Sequence, residues 1–277
     1  MSANKFNQFS ALGAGIGLRS KHIDQILANK PAVDWFEIIA ENYLVDGGRA
    51  RIVLDRIIEQ YQVIIHAVSL YFGSAERPSR DRLKRLKNLV RLTKSPWLAD
   101  HLCWGSVDGT YTHDLLPLPY TKAAVKMAVE KIKYVRDFLE VPIIVENHRS
   151  YAEFSASTMT EWEFLSEIVE SADCGILLDV NNVYVSSRNH GFNHETYIDF
   201  IAPERIAQIH IAGHSVYERL IIDTHDNAPP PPVWKLYEKA LRRAGATPTL
   251  LECDSRIPSF EEVHREANKA KRYLNGC

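Results

Sequence analysis

Six apolar stretches of this chain each run straight into a residue able to bind a metal. VIIH, WLADH, IIVE, ILLD, IAQIH and TLLE end on His66, His101, Glu146, Asp179, His210 and Glu252. Stretches of this length, separated by amphipathic segments of ten residues or more, read as strands alternating with helices. Parallel strands closed into a ring aim their C-terminal residues at one mouth, which is where (β/α)8 barrels keep their chemistry. Imidazoles and carboxylates converging there desolvate badly unless a cation compensates them. The pattern therefore constrains fold and site together: an α/β (β/α)8 TIM barrel with a metal-binding mouth.

Length agrees with that expectation. A barrel of about 250 residues fits a 277-residue chain, and 1–277 reads as a single TIM-barrel catalytic domain. The expected strands are 13–18, 35–39, 63–67, 97–102, 142–146, 175–179, 206–212 and 248–252. The clearest helices are 49–60, 79–93, 121–139, 160–171, 233–243 and 259–273. Ser79 and Ser259 are placed as N-caps, and Ser259 has Glu262 three residues on, a capping box. Helix-to-strand connections are short, as at Glu140 and Val141 or 245–247. Strand-to-helix connections are long, at 105–120, 147–159, 180–194 and 213–232. Long loops within a domain usually carry function, and all of these fall on the face that holds the ligand candidates. The run Pro229 to Pro232 reads as a stiff loop before a helix.

Composition narrows the partners. Lys plus Arg is 33 against Asp plus Glu 35, a net charge of -2, which gives no electrostatic reason to expect nucleic acid or an anionic membrane. No apolar run approaches the roughly 18 residues of a membrane span, and MSANKFNQFSALGAG lacks the pattern of a signal peptide. The four cysteines, Cys103, Cys174, Cys253 and Cys277, form no CxxC pair and read as free thiols of a reducing compartment. A soluble, cytoplasmic protein is expected.

The individual residues differ in what they can do. In DH, neighbours on a strand point to opposite faces, so His101 is taken as the ligand and Asp100 as a supporting or structural residue. Glu146 in ENH either pairs with a cation such as Arg149 or bridges two metals. Asp179 heads DVNN, with Asn182 three residues on. His210 ends its strand in IHIAGH, while His214 lies in the loop, in a supporting or a plain loop role. Asp223 and His225, at i and i+2 in DTH, can share an ion, and Glu252 and Asp254 share a face. His22, His113, His190, His194 and His264 have no partner spacing. Gly13, Gly15 and Gly17 fail the dinucleotide fingerprint because Leu18 stands where GxGxxG continues, and no GxSxG or Walker motif occurs. Nitrogen and oxygen ligands without thiolate suit Fe, Mn or Zn, and the candidates outnumber what one octahedral ion can use.

HAVSLYFGS, DHLCW, IVENH, LLDVNNVYVSSRNHGF, HIAGH, DTHD and LLECD, in this order from about Gly15 to Asp254, resemble the DUF692 family, the multinuclear non-heme iron-dependent oxidative enzymes (MNIO). The resemblance implies a TIM barrel with roughly two to three iron ions at its mouth. By motif the ligands would be His66, His101, Glu146, Asp179, Asn182, His210, Asp223, His225 and Glu252, with Glu146 bridging. Asp100, Asn147, His214 and Asp254 would support them or act on substrate. Members of the branch that makes copper-chelating oxazolone-thioamide peptides have His at the position of Asn182. Asn is a poorer ligand, which argues for a weakly held third iron here and against that branch. The family acts on ribosomally made precursor peptides, most often at a Cys side chain. Substrate thiolate binds one iron, O2 as co-substrate is reduced at iron, and hydrogen leaves the cysteine β-carbon. The outcome is heterocycle formation or excision of that carbon. With the barrel occupying the chain, a separate small leader-binding partner protein is expected. The alternative from residue types alone is a redox-inert metal hydrolase or sugar isomerase on the same scaffold, and, further off, a non-catalytic metal-binding subunit.

Overall fold

The strands that close the barrel are almost continuously apolar because each is covered on both faces. One face meets the surrounding helices and the other fills the barrel interior. The computed structural model describes Phe6 and residues 12–276; Cys277 and the side chain of His113 lie outside what is described. The strands are β1 (Ala14–Gly17), β2 (Trp35–Ile39), β3 (Gln62–His66), β4 (Leu98–His101), β5 (Trp104–Val107), β6 (Thr110–Leu116), β7 (Ile143–Glu146), β8 (Gly175–Asp179), β9 (Ile206–Ile211), β10 (Ser215–Val216), β11 (Ile221–Ile222) and β12 (Thr249–Leu251). The helices are α1 (Ile23–Asn29), α2 (Gly48–Ile58), α3 (Arg80–Thr93), α4 (Lys122–Leu139), α5 (Glu161–Ala172), α6 (Val180–His190), α7 (His194–Phe200), α8 (Pro231–Ala244) and α9 (Phe260–Leu274).

Strands β1, β2, β3, β4, β7, β8, β9 and β12 form a closed barrel, each paired in parallel with its successor, and β12 returns to β1. This is the (β/α)8 TIM barrel that the strand pattern predicts. Inside its lower part, Trp35, Ile64, Trp97, Ala99, Ile144, Leu177, Ala207 and Leu250 pack into one cluster. Gly15 makes room there: a Cβ on it would stand 2.4 Å from the Trp35 ring. Gly15 of GxGxG thus serves packing of the barrel interior. Outward-facing Phe36, Ile38, Ile65, Val145, Leu178 and Ile209 belong to the larger core beneath the helices.

Caps fix where the helices start. Ser79 caps α3, and Ser259 with Glu262 closes the capping box of α9. Thr160 with Glu163 makes a second box on α5. Three of the four long connections are more ordered than the sequence suggests. Residues 180–194 are largely α6, which starts directly on Asp179 and ends at Gly191 with φ +77°. The connections after β4 and β9 carry the antiparallel pairs β5–β6 and β10–β11. Among the described residues, no helix is long and apolar enough to cross a membrane. Cys103, Cys174 and Cys253 are buried free thiols.

Candidate metal centre

Two residues beyond the apolar cluster, the barrel interior changes character. On seven of the eight barrel strands an ionisable residue follows: Glu37 on β2, His66 on β3, His101 on β4, Glu146 on β7, Asp179 on β8, His210 on β9, one residue later because of a register shift, and Glu252 just past β12. All are buried, Asp179 and His210 completely. Glu146 is the hinge of the set. Its Oε2 lies 3.3 Å from His66 Nε2 and 3.2 Å from His101 Nε2, while Oε1 lies 3.9 Å from His210 Nδ1. His210 Nδ1 is also 3.1 Å from Glu252 Oε2. Glu252 in turn stands 3.7 Å from His225 Nδ1, whose closer carboxylate, at 2.9 Å, is Asp254.

Ligand atoms thus gather into three overlapping groups: His66, His101 and Glu146; Glu146, Asp179, His210 and Glu252; His225, Glu252 and Asp254. Glu146 is shared by the first two and Glu252 by the last two. Asp223 reaches the third group through His225, with Oδ1 2.6 Å from Nε2. The backbone at His225 has φ +49°, so the DTH segment is a turn and not the extended stretch that i, i+2 spacing suggests. Arg149 pairs with Asp223 at 3.6 Å and leaves Glu146 to the imidazoles.

The remaining candidates support these side chains. Asn147 brackets Asp179, accepting from its N–H at 2.8 Å and donating to its carbonyl at 3.0 Å. Asp179 Oδ1 caps α6 by accepting from Asn182 N–H at 2.7 Å. Asn182 Nδ2 donates to the Asn147 carbonyl at 3.1 Å, which leaves its Oδ1 as the atom able to bind a cation. His214 Nδ1 lies 2.7 Å from Asn181 Oδ1, and Asn181 donates to Asp223 at 2.6 Å, so His214 acts on the third group through Asn181. Asp254 also pairs with Arg19. Asp100 faces away from the mouth, as strand alternation requires, and accepts from the backbone N–H of Leu70 at 2.8 Å. It holds the loop after β3. Of the histidines without partner spacing, His22, His190 and His264 each place a ring nitrogen within hydrogen-bond distance of a backbone carbonyl.

Glu37 escapes a reading of strand ends because it lies in the middle of WFEII. A lone carboxylate at the centre of an otherwise apolar strand is the signal that marks it. Gln208, equally buried, carries no such signal; a register shift between β8 and β9 sets its pairing with Leu177.

Burial drives His66 and His101 down to about 3, so both are neutral and ready to donate a lone pair. Burial pushes Glu146 well above the usual carboxylate range, against the pull of His210. It lifts Asp179 to about 7, with Asp223 adding to the effect. Burial opposes charge on His210 and His225 too, but Glu37 and Glu252 hold the first, and Asp223 and Glu252 the second, well above the ordinary imidazole value. Glu252 lies well below its ordinary value despite burial, because His225 and His210 flank it. His66 Nδ1, His101 Nδ1, Glu146 Oε2, Asp179 Oδ2 and Asn182 Oδ1 are buried and find no hydrogen-bond partner among the described residues. Buried polar atoms are rarely left so. Four of these five belong to residues of the groups spaced for a cation, so the donor set fits bound metal.

The family model for the RiPP precursor modification enzymes MbnB/TglH/ChrH matches residues 13–275. The chain belongs to that family. Similar members include a UPF0276 protein of Anaeromyxobacter sp., 46% identical over 94% of this chain and 92% of that protein. Another is a UPF0276 protein of Caulobacter vibrioides, 42% identical over 94% and 93%. Among solved structures, D-psicose 3-epimerase of Clostridium cellulolyticum H10 aligns with TM-score 0.60 at 14% identity over 95% of this chain and 98% of that one. The IOLI protein, with a binding zinc atom, aligns with TM-score 0.60 at 16% identity over 98% and 94%. At such identities these two share the fold and nothing more. In this MbnB/TglH/ChrH family member the site opens into a cavity of about 400 Å³, lined by Arg19, Val68, Leu115, Arg149, Thr224 and Ser255 together with the ligand candidates.

Proposed function

We propose that this chain is a multinuclear non-heme iron enzyme that uses O2 to modify a residue, a cysteine by preference, in a ribosomally made precursor peptide. Family membership supplies the substrate class. One observation carries the metal reading: three ligand groups in a row, joined through Glu146 and Glu252. A mononuclear hydrolase or isomerase needs one group, and a shared carboxylate between adjacent groups suits two or three ions held side by side. In this reading His66, His101 and Glu146 hold one iron and Glu146, Asp179, His210 and Glu252 a second. His225 and Glu252 with Asp254 would form a weaker third position, which Asp223 reaches through His225 Nε2. Bound iron supplies the redox chemistry and a Lewis-acid site for a thiolate.

The chain's own residues do the rest. The cavity of about 400 Å³ has room for a side chain, with Arg19 and Arg149 among the residues that line it beside the ligand candidates. Asn147 and Asn182 fix Asp179, and Asn181 and Arg149 fix Asp223, so the ligands hold their places as substrate enters. The precursor's leader is assigned to a separate small partner protein.

Elemental analysis of protein purified without oxygen or chelator tests this reading, followed by O2-dependent modification of a precursor peptide encoded beside this gene. Roughly two to three iron per chain and a cysteine-dependent mass change are expected. Zinc or manganese with little iron, persisting after iron-supplemented expression, sinks the oxidative reading in favour of the hydrolase or isomerase.

A further inference from the structure

Glu37 lies beneath the candidate metal centre and belongs to none of its three ligand groups. Its carboxylate faces the back of His210: Oε1 is 3.3 Å and Oε2 3.4 Å from Nε2. The opposite nitrogen, Nδ1, looks at Glu252 and Glu146, the two shared carboxylates. His210 therefore stands between a carboxylate that takes no part in the ligand groups and the atoms that do.

Gln208 completes the arrangement. Trp97 Nε1–H can only donate, and it donates to Gln208 Oε1 at 2.8 Å. That fixes the amide so that Nε2 points up, donating to Glu37 Oε2 at 2.6 Å. The same amide nitrogen stands 2.9 Å from His210 Nε2. A bound cation displaces one ring proton, and two tautomers then compete. If Nε2 accepts from Gln208, the ring proton sits on Nδ1, facing the site where a cation would bind. If Nε2 carries the proton and donates to Glu37, Nδ1 is bare and available. A hydrogen bond to an ionised carboxylate is about twice as strong as a neutral one, so Glu37 decides the contest.

We infer that Glu37, oriented by the Trp97–Gln208 pair, is a positioning residue that holds the proton on His210 Nε2 and so presents Nδ1 to the metal. This rests on the metal-binding reading of the mouth. In the first group, His66 and His101 face Glu146 through Nε2, whereas His225 in the third group faces Glu252 and Asp254 through Nδ1. The centre would then mix Nδ1 and Nε2 ligation, with the His210 Nδ1 fixed from below by a carboxylate.

The test uses the full chain loaded with Zn(II), which keeps nuclear resonance spectra free of paramagnetic broadening, with ¹⁵N-labelled histidine. In the unsubstituted protein one imidazole, assigned by its loss in His210→Gln, is expected to show a zinc-bound Nδ1 and a protonated Nε2. In Glu37→Gln that signature should disappear while those of His66 and His101 persist. Zinc affinity should fall roughly 10- to 100-fold. If Glu37→Gln does not fold, Glu37→Asp, which keeps the charge and shortens the reach, should show the same change in smaller measure. Unchanged affinity with zinc still on Nδ1 overturns the inference and leaves the metal reading standing. Loss of a whole zinc equivalent with the His210 signature retained makes Glu37 a ligand, and also overturns it. Unsubstituted protein that takes up no zinc or iron overturns both.

Discussion

On β3, Ile64 sits in the apolar cluster of the barrel interior and His66, two residues on, sits in the polar mouth. On β7 the pair is Ile144 and Glu146, on β8 Leu177 and Asp179, and β12 runs from Leu250 to Glu252. The two layers share strands and backbone and are separated by only about 7 Å along each strand. They differ in what burial does. In the lower layer each enclosed side chain stabilises the fold by about 1.5–3 kcal/mol. In the upper layer enclosure disfavours the charged forms and lifts Asp179 to about 7. The barrel's floor makes the protein stable enough to hold a mouth that is strained without a cation.

The sharpest way to break this comparison is Glu146→Gln. Losing the shared carboxylate should strip bound metal from the first two groups and lower activity by about 100-fold or more, the several kcal/mol expected of a metal's role. The melting midpoint of the metal-free protein should stay unchanged or rise. Metal analysis and calorimetry on the same preparation check both halves, and a large drop in the metal-free midpoint would show that Glu146 belongs energetically with the floor.

Next in size, Ile64→Ala should cost about 2–5 kcal/mol of stability by leaving a cavity in the floor. Metal content per folded chain should not change. Denaturant unfolding of the metal-free protein gives the first number and elemental analysis the second.

A smaller effect sharpens the upper layer's electrostatics. A metal held at Asp179 would take its ionised form, and burial raises that carboxyl to about 7. Below pH 7 a proton competes at Asp179, which contributes about tenfold in apparent affinity per pH unit, and His210, held well above the ordinary imidazole value by Glu37 and Glu252, adds a further displaced proton, so the dependence should be steeper than one proton and persist above pH 7. Calorimetric titration with zinc in buffers of different ionisation heat reads the proton release. Histidines already neutral, His66 and His101 at about 3, add nothing over that range. The smallest effect serves as a control outside both layers. Ser259→Ala removes the cap of α9 and should cost about 1 kcal/mol in thermal unfolding with no change in metal affinity.

Much of this contrast is legible in the sequence because alternation along a strand is a strict rule. Apolar runs ending on His, Asp or Glu foretell both a closed parallel barrel and the side chains at its mouth. What lies between strands is harder. DVNNVYVSSRNH reads as a polar loop, yet Asp179 and Gly191 cap it into α6. The hairpins in the connections after β4 and β9 are short and half exposed, so no long apolar period announces them. Glu37 and Gln208 are hidden for a different reason. Their partners, His210 and Trp97, are distant in the chain, and only barrel closure brings them together.

Asp179 carries a consequence in the language of coordination chemistry. One of its oxygens already accepts the N–H that starts α6, so Oδ2, which has no hydrogen-bond partner among the described residues, would be the oxygen offered first to a metal. Glu146 caps no helix, and its two oxygens face different imidazoles. Of these two carboxylates Glu146 is the less tied, and would be the freer to shift between one-atom and two-atom binding as charge at the centre changes. By ending a strand and beginning a helix on a single residue, the fold assigns which ligand stays rigid and which one shifts.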